Sequence, residues 1–324
     1  MHTITTGRAL AAIALGLALL VPEMAKASCG AAVCAVNTTW EAKGVSTEPG
    51  FGVDLRYEYL LQDKIQNGTR VVEIGQIQRE HDEVKTVNQV LQGTLDYTFT
   101  EQWGGSVTVP VIERYHKHID NDAGETQTWN FTELGDTRVM GRYVPVKQDD
   151  FGHGGSATLG LNFGLKLPTG RYDMKNSQGQ AAERTLQPGT GTTDAVVGGF
   201  VHKTISDWKS SLFAQTLWQT AFDAASEFKP GERVTLDLGY RYSLSTSLGL
   251  LLQINAVYRD RDQGEQADVP DSGGRFVYVS PGLSYAIGRD WQAYGFWQQP
   301  VLQDVNGVQL VVTQAYMAGM SARF

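Results

Sequence analysis

The densest group of possible metal ligands is His116-Lys117-His118, followed by Asp120 and Asp122, with His81, Asp82 and Glu83 some thirty residues earlier. On a strand, alternate residues share a face. Paired imidazoles at 116 and 118, with Asp120, would then suit divalent copper, nickel or zinc. The plainer reading of 116–133 is a solvated polar loop. Asp120-Asn121-Asp122 ahead of Gly124 and Glu125 lacks the full spacing of a calcium loop. Asp260, Asp262, Glu265, Asp268 and Asp271 form an acidic run that surface solvation explains. Cys29 and Cys34, the only cysteines, predict a local disulfide in an oxidising compartment. No Cys-x-x-Cys-His motif calls for covalent haem, and no other cofactor is indicated. The chain has neither a Gly-x-Ser-x-Gly elbow nor a His-x-Ser-Asn-Gly segment, and His153 and Ser156 fall in a turn assigned to the periplasmic side. Catalysis is not supported.

The remaining charges are spaced in twos. Asp54, Arg56 and Glu58 alternate with apolar residues, as do Asp96, Arg138, Arg142, Lys166, Asp194, Asp237, Arg241, Arg259 and Arg323 within their own segments. Such spacing requires extended strands with one polar and one apolar face. In 234–244 the apolar row is Val234, Leu236, Leu238, Tyr240, Tyr242 and Leu244, set against Thr235, Asp237, Gly239, Arg241 and Ser243. Segments of this kind are expected at 50–60, 86–99, 104–115, 134–146, 156–168, 191–203, 209–222, 232–244, 247–259, 275–287, 291–301 and 309–324. Many run to about ten residues, the length that crosses a bilayer at a tilt. Their count, twelve, is even, as single-chain bacterial barrels require. The expectation is an all-β transmembrane antiparallel barrel whose inward charges line a lumen.

The N-terminus sets the compartment. Residues 9–21 are an unbroken apolar run behind Arg8, and Ala25-Lys26-Ala27 offers small residues for cleavage before Ser28. Thirteen apolar residues are too few for a membrane anchor. The expected organisation is a signal peptide at 1–27, a short periplasmic segment with the cysteine pair at 28–46, and a barrel at 47–324. With 27 basic and 35 acidic residues, the chain has a net charge of −8, which argues against nucleic acid as a partner.

The connections alternate in length. Short turns at 100–103, 204–208, 245–246 and 288–290 suit the periplasmic side, and long loops at 61–85, 116–133, 169–190, 223–231, 260–274 and 302–308 suit the cell exterior. Trp103, Trp208 and Trp291 follow three short turns, where an aromatic girdle would sit. Reading back in twos from Phe324 gives Ala322, Met320, Ala318 and Tyr316 on one face. A final amphipathic strand with a terminal aromatic is the form of signal read by the outer-membrane assembly machinery.

Three stretches carry a family resemblance: 134–143 (LGDTRVMGRY), 165–170 (LKLPTG) and 186–191 (LQPGTG) followed by Asp194. Together they resemble the outer-membrane family labelled putative MetA-pathway of phenol degradation, related to FadL-type transporters of hydrophobic compounds. The resemblance implies an outer-membrane channel or transporter for passive passage of small solutes, apolar or aromatic ones among them. Its partners would be outer-membrane lipid, the barrel-assembly machinery and the solute. The other reading is a non-conducting barrel that acts as a scaffold or docking surface for a periplasmic partner.

Overall fold

A computed structural model describes residues 36–37, 49–149 and 155–324. The expected signal peptide, Cys29, Cys34 and His153 lie outside the described residues.

Thirteen strands occur among the described residues: β1 (Gly50–Gly68), β2 (Arg70–Val71), β3 (His81–Thr98), β4 (Trp103–Asp120), β5 (Glu125–Leu134), β6 (Thr137–Gln148), β7 (Ala157–Leu167), β8 (Asp194–Ile205), β9 (Ser210–Ala221), β10 (Arg233–Ser243), β11 (Leu248–Arg259), β12 (Gly274–Ile287) and β13 (Trp291–Arg323). All belong to one sheet. Eleven of them form a ring closed by β13 on β1, while β2 and β5 are additional. Every pairing in the ring is antiparallel, which an odd number of staves cannot satisfy. The resolution is β13 itself. Its 33 residues pair with β12 over 291–305 and with β1 over 305–323. The element is folded back at Gly307 (φ 55°), and the Gln303 side-chain amide bonds the carbonyl of Val312 across the fold at 3.0 Å. It therefore supplies two staves, and twelve cross the membrane. The segments expected at 291–301 and 309–324 are these two halves. The loop expected at 302–308 is a tight turn.

The burial pattern is inside out. On β10, Leu236, Leu238, Tyr240 and Tyr242 are exposed while Asp237 is buried, and Gln253 and Asn255 beside it on β11 are buried as well. Each exposed Leu-sized side chain would forgo roughly 1.5–3 kcal/mol of burial in water. Dozens of them in one belt are stable only against lipid, and the barrel is an outer-membrane protein. Trp103, Trp208 and Trp291 are exposed at the short-turn end, where Trp103 lies against Tyr143 (4.5 Å between centroids).

Two expected long loops are instead strand. The stretch 61–85 continues β1 to Gly68 and begins β3 at His81, and 116–133 is a hairpin of β4 and β5 around a turn at 121–124. His116 and His118 thus sit on a strand and are buried, not solvated. The reason is a change of solvent. Above the lipid the outward residues of this hairpin are Lys117, Thr126, Thr128 and Asn130, while Trp129 and Phe131 point inward. The strand persists but its polarity reverses, so the pattern expected of a lipid-facing stave disappears.

The reversal falls at the junction of β5 and β6, which pair successively with the upper and lower parts of β4. Between Leu134↔Val111 and Arg138↔Thr108, three residues of one strand oppose two of the other. Pro110, which has no N–H to give the ladder, accepts a bond from Gly135 N–H at 2.9 Å. The bulge turns Asp136 into the lumen.

The C-terminal strand closes the seam. Phe51 and Phe324 exchange backbone hydrogen bonds of 2.9 and 2.8 Å. Tyr316, Met320 and Phe324 are exposed, Arg323 turns inward to Thr98 (3.1 Å), and Ala322, on the same face as Met320 and opposite Val53, is buried.

Candidate functional site

The bulge at Asp136 organises the lumen. Its carboxylate accepts hydrogen bonds from the backbone N–H of Gly170 (3.1 Å) and Thr190 (2.9 Å) and from the Lys166 ammonium (3.0 Å). Lys166 also pairs with Asp194 at 3.1 Å, and Asp194 accepts from the Thr192 hydroxyl at 2.7 Å. Thr169 bonds Gly135 O at 2.9 Å and Thr137 N–H at 2.8 Å. Gly170 and Gly189 meet so closely that a Cβ on Gly189 would lie 2.4 Å from the carbonyl of Gly170. This knot unites the three stretches 134–143, 165–170 and 186–191 and bends loop 168–193 inward.

The loop is held again along its length. The Arg114 guanidinium donates to the carbonyl of Leu186 at 2.5 Å, and Trp129 Nε1–H donates to the carbonyl of Gln180 at 3.1 Å. Leu186 and Ala182 pack on Trp129 and Phe131. Arg184 lies 4.6 Å from the Tyr172 ring centre and 4.9 Å from that of Phe228, joining this loop to loop 222–232.

Below this roof lies a cavity of about 580 Å³. Asp54, Arg56, Glu58, Asp96, Arg138, Arg142, Lys166, Asp194, Asp237 and Arg259 line it. Arg241 does not. It lies lower, with Arg323, in a separate pocket of about 500 Å³ at the periplasmic mouth. Arg114, Arg184 and Arg233 also reach the cavity, and apolar contacts come from Leu60, Ile112, Met140, Leu217 and Phe228. Many of the charges are matched: Arg56–Glu58 is 2.7 Å, and Arg138 bonds Gln219 (3.0 Å), which bonds Asp194 (2.6 Å). Arg233 lies within electrostatic reach of Arg138 and Arg259.

The floor is a different material. Val36 is buried with Phe200, Phe213, Leu251, Tyr294, Phe296 and Met317. Asn37 next to it is bonded to Gln253, Gln215 and Asp237 at 2.6–3.0 Å. Val36 and Asn37 therefore lie inside the lumen at mid-height.

A second polar cluster sits at the extracellular end. His81 Nε2 is 2.6 Å from Glu183 and 3.6 Å from Glu83, and the His81 and His118 rings are 4.4 Å apart. One donor atom each from His81, Glu83, His118 and Glu183 lie within 4.8 Å of one another. His116 and Asp120 flank this group. His116 Nε2 is 3.4 Å from Glu83, and Asp120 accepts from Gln127 (2.9 Å), whose Oε1 is 3.2 Å from His118. Asp268, from the acidic run read as surface solvation, is 9% exposed. Burial first, then neighbouring Asp271, pushes its carboxyl up to about 9. Glu183 and Asp268 come from distant loops, and nothing in the pattern around either marks it for this cluster.

A family model described as Putative MetA-pathway of phenol degradation matches residues 61–303. The chain belongs to that family. A search of curated proteins finds no match. Among solved structures, the chain resembles the COG4313 outer membrane channel from Pseudomonas putida F1 at 13% identity and TM-score 0.60, over 85% of this chain and 96% of that one. A FadL homologue from Pseudomonas aeruginosa aligns at 12% identity and TM-score 0.40, over 85% and 90% of the two chains. The NanC porin aligns at 11% identity and TM-score 0.45, over 84% and 100%. The likeness to the COG4313 channel shows the fold, and the family match spans all three knotted stretches, 134–143, 165–170 and 186–191.

Proposed function

We propose that this family member is an outer-membrane channel for passive passage of small solutes, with anionic amphiphiles, aromatic carboxylates among them, as the favoured class. The observation that carries the reading is the cavity itself. It is large enough for a small organic molecule, lies between two closures, and combines Arg56, Arg138, Arg233 and Arg259 with apolar contacts from Leu60, Leu217 and Phe228. A guanidinium fixes a carboxylate, while the apolar side takes the rest of the solute. Passage requires both closures to yield, the loop above and the Val36–Asn37 segment below.

The test is the reversal potential of the reconstituted barrel across a salt gradient, with benzoate then added to one side. Anion preference that Arg233→Gln weakens, together with block or permeation by benzoate, supports the reading. Cation preference would overturn the anionic choice. The filled floor favours a second reading, a non-conducting barrel serving as a docking surface. Silence from a folded, heat-modifiable barrel lacking its floor segment would select it.

A further inference from the structure

Loop 168–193 meets the wall at two polar clusters, the lower held by Lys166 and the upper made of imidazoles and carboxylates. We propose that His81, Glu83, His118 and Glu183 bind one divalent transition-metal ion of the zinc type, which pins the loop across the extracellular mouth.

Geometry comes first. The four donor atoms lie within 4.8 Å of one another. A tetrahedral ion with bonds near 2.0–2.1 Å needs donors about 3.4 Å apart, so sub-ångström side-chain shifts suffice. Two imidazoles and two carboxylates suit zinc, copper or nickel, and they are too few oxygens for calcium. Glu83 is fully buried and the His81 side chain is 11% exposed.

Supporting contacts are those of a ligand shell. Gln127 engages Nε2 of His118 and is itself held by Asp120, while Nδ1 of His118 lies 3.5 Å from Nε2 of His116, a contact that an ion on Nδ1 would replace. His116 is fixed through Nδ1 to Thr86 at 2.9 Å and faces the second oxygen of Glu83 at 3.4 Å. Such outer contacts orient metal ligands.

An independent observation comes from another loop. Both carboxylate oxygens of Asp268 are buried without a hydrogen-bond donor, within electrostatic range of Glu183, His81 and Glu83. Arg79, within electrostatic range of the adjoining Asp271, is engaged with Asp82 at 2.9 Å. A buried carboxylate facing two more is a place that a cation stabilises.

The experiment titrates the full-length barrel, folded in detergent and stripped with chelator, with Co²⁺ and then Zn²⁺. The expected result is one equivalent of Co²⁺, visible bands of four-coordinate nitrogen–oxygen ligation, and displacement by Zn²⁺. Bound metal should also protect Arg171, Lys175 and Arg184 in the loop from trypsin. Glu183→Gln and His118→Ala should each weaken binding by roughly tenfold or more, with folding checked by heat-modifiable migration. Wild-type protein that takes up no Co²⁺, or a folded Glu183→Gln variant that binds as tightly as wild type, would overturn the proposal. The cluster would then be an ion pair centred on His81, with a proton where the ion is placed here. The wild-type stoichiometry and spectrum need no variant, so a misfolded substitution leaves the test intact.

Discussion

Two polar clusters fasten loop 168–193 to the barrel, one around Lys166 and one around His81. In the first, Lys166 stands between Asp136 and Asp194, and backbone N–H groups and threonine hydroxyls occupy further lone pairs. In the second, two histidines meet two glutamates with a further buried carboxylate, Asp268, beside them. Both are buried, and both join a loop to strands. The difference is saturation. A buried charge set that satisfies its own hydrogen bonds is a fastener whose loss is costly, whereas one that adds the donorless carboxylate of Asp268 to its histidine–glutamate pairs has room for a cation.

The largest effect should separate them. Lys166→Met leaves Asp136 and Asp194 facing each other without their cation, a loss on the order of 3–5 kcal/mol. It should lower the urea midpoint of the folded barrel sharply, while Glu183→Gln leaves that midpoint nearly unchanged. Equal effects would dissolve the distinction between the clusters.

Gly189→Ala comes next. Its Cβ would meet the carbonyl of Gly170 at 2.4 Å, and overpacking of this kind costs about 1–3 kcal/mol. The knot should loosen and trypsin should reach Arg184 faster, with or without metal. Protection that metal restores in full would mean the upper cluster can hold the loop alone.

Deleting Phe324 removes the seam bonds to Phe51. It should reduce the yield of assembled barrel while leaving solute passage unchanged in the fraction that folds. Normal assembly would show that Tyr316 and Met320 carry the terminal signal without it.

The smallest effect belongs to a third pair in the same loop. Arg171 and Asp173 are 3.0 Å apart but exposed. Water screens such pairs, so Arg171→Gln should leave the urea midpoint where it was, and a clear drop would mean that proximity rather than burial governs this loop.

The two clusters also differ in how far the sequence exposes them. Asp136, Lys166 and Asp194 lie in short stretches with Pro-Thr-Gly and Pro-Gly-Thr-Gly turns, and period-two spacing already turns Lys166 and Asp194 inward. His81, Glu183 and Asp268 sit in segments with no alternation. Only the folding of two loops into the mouth brings them to His118. The lipid-crossing staves were legible because lipid enforces apolar outward positions. Their extensions above it were not, because water outside and Trp129 inside invert the rule. The folding back of β13 escaped for a further reason: a tight turn at Asn306-Gly307 leaves little punctuation in a continuous strand.

The lumen closed from both ends is the centre of this account, and single-channel conductance tests it most directly. Planar bilayers would receive the full-length barrel and a variant lacking residues 28–46, both shown to be folded by heat-modifiable migration. Small or rare openings are expected for the first and a clear rise in conductance for the second, as the Val36–Asn37 closure is lost. A folded variant that conducts nothing would contradict it and leave the barrel a scaffold.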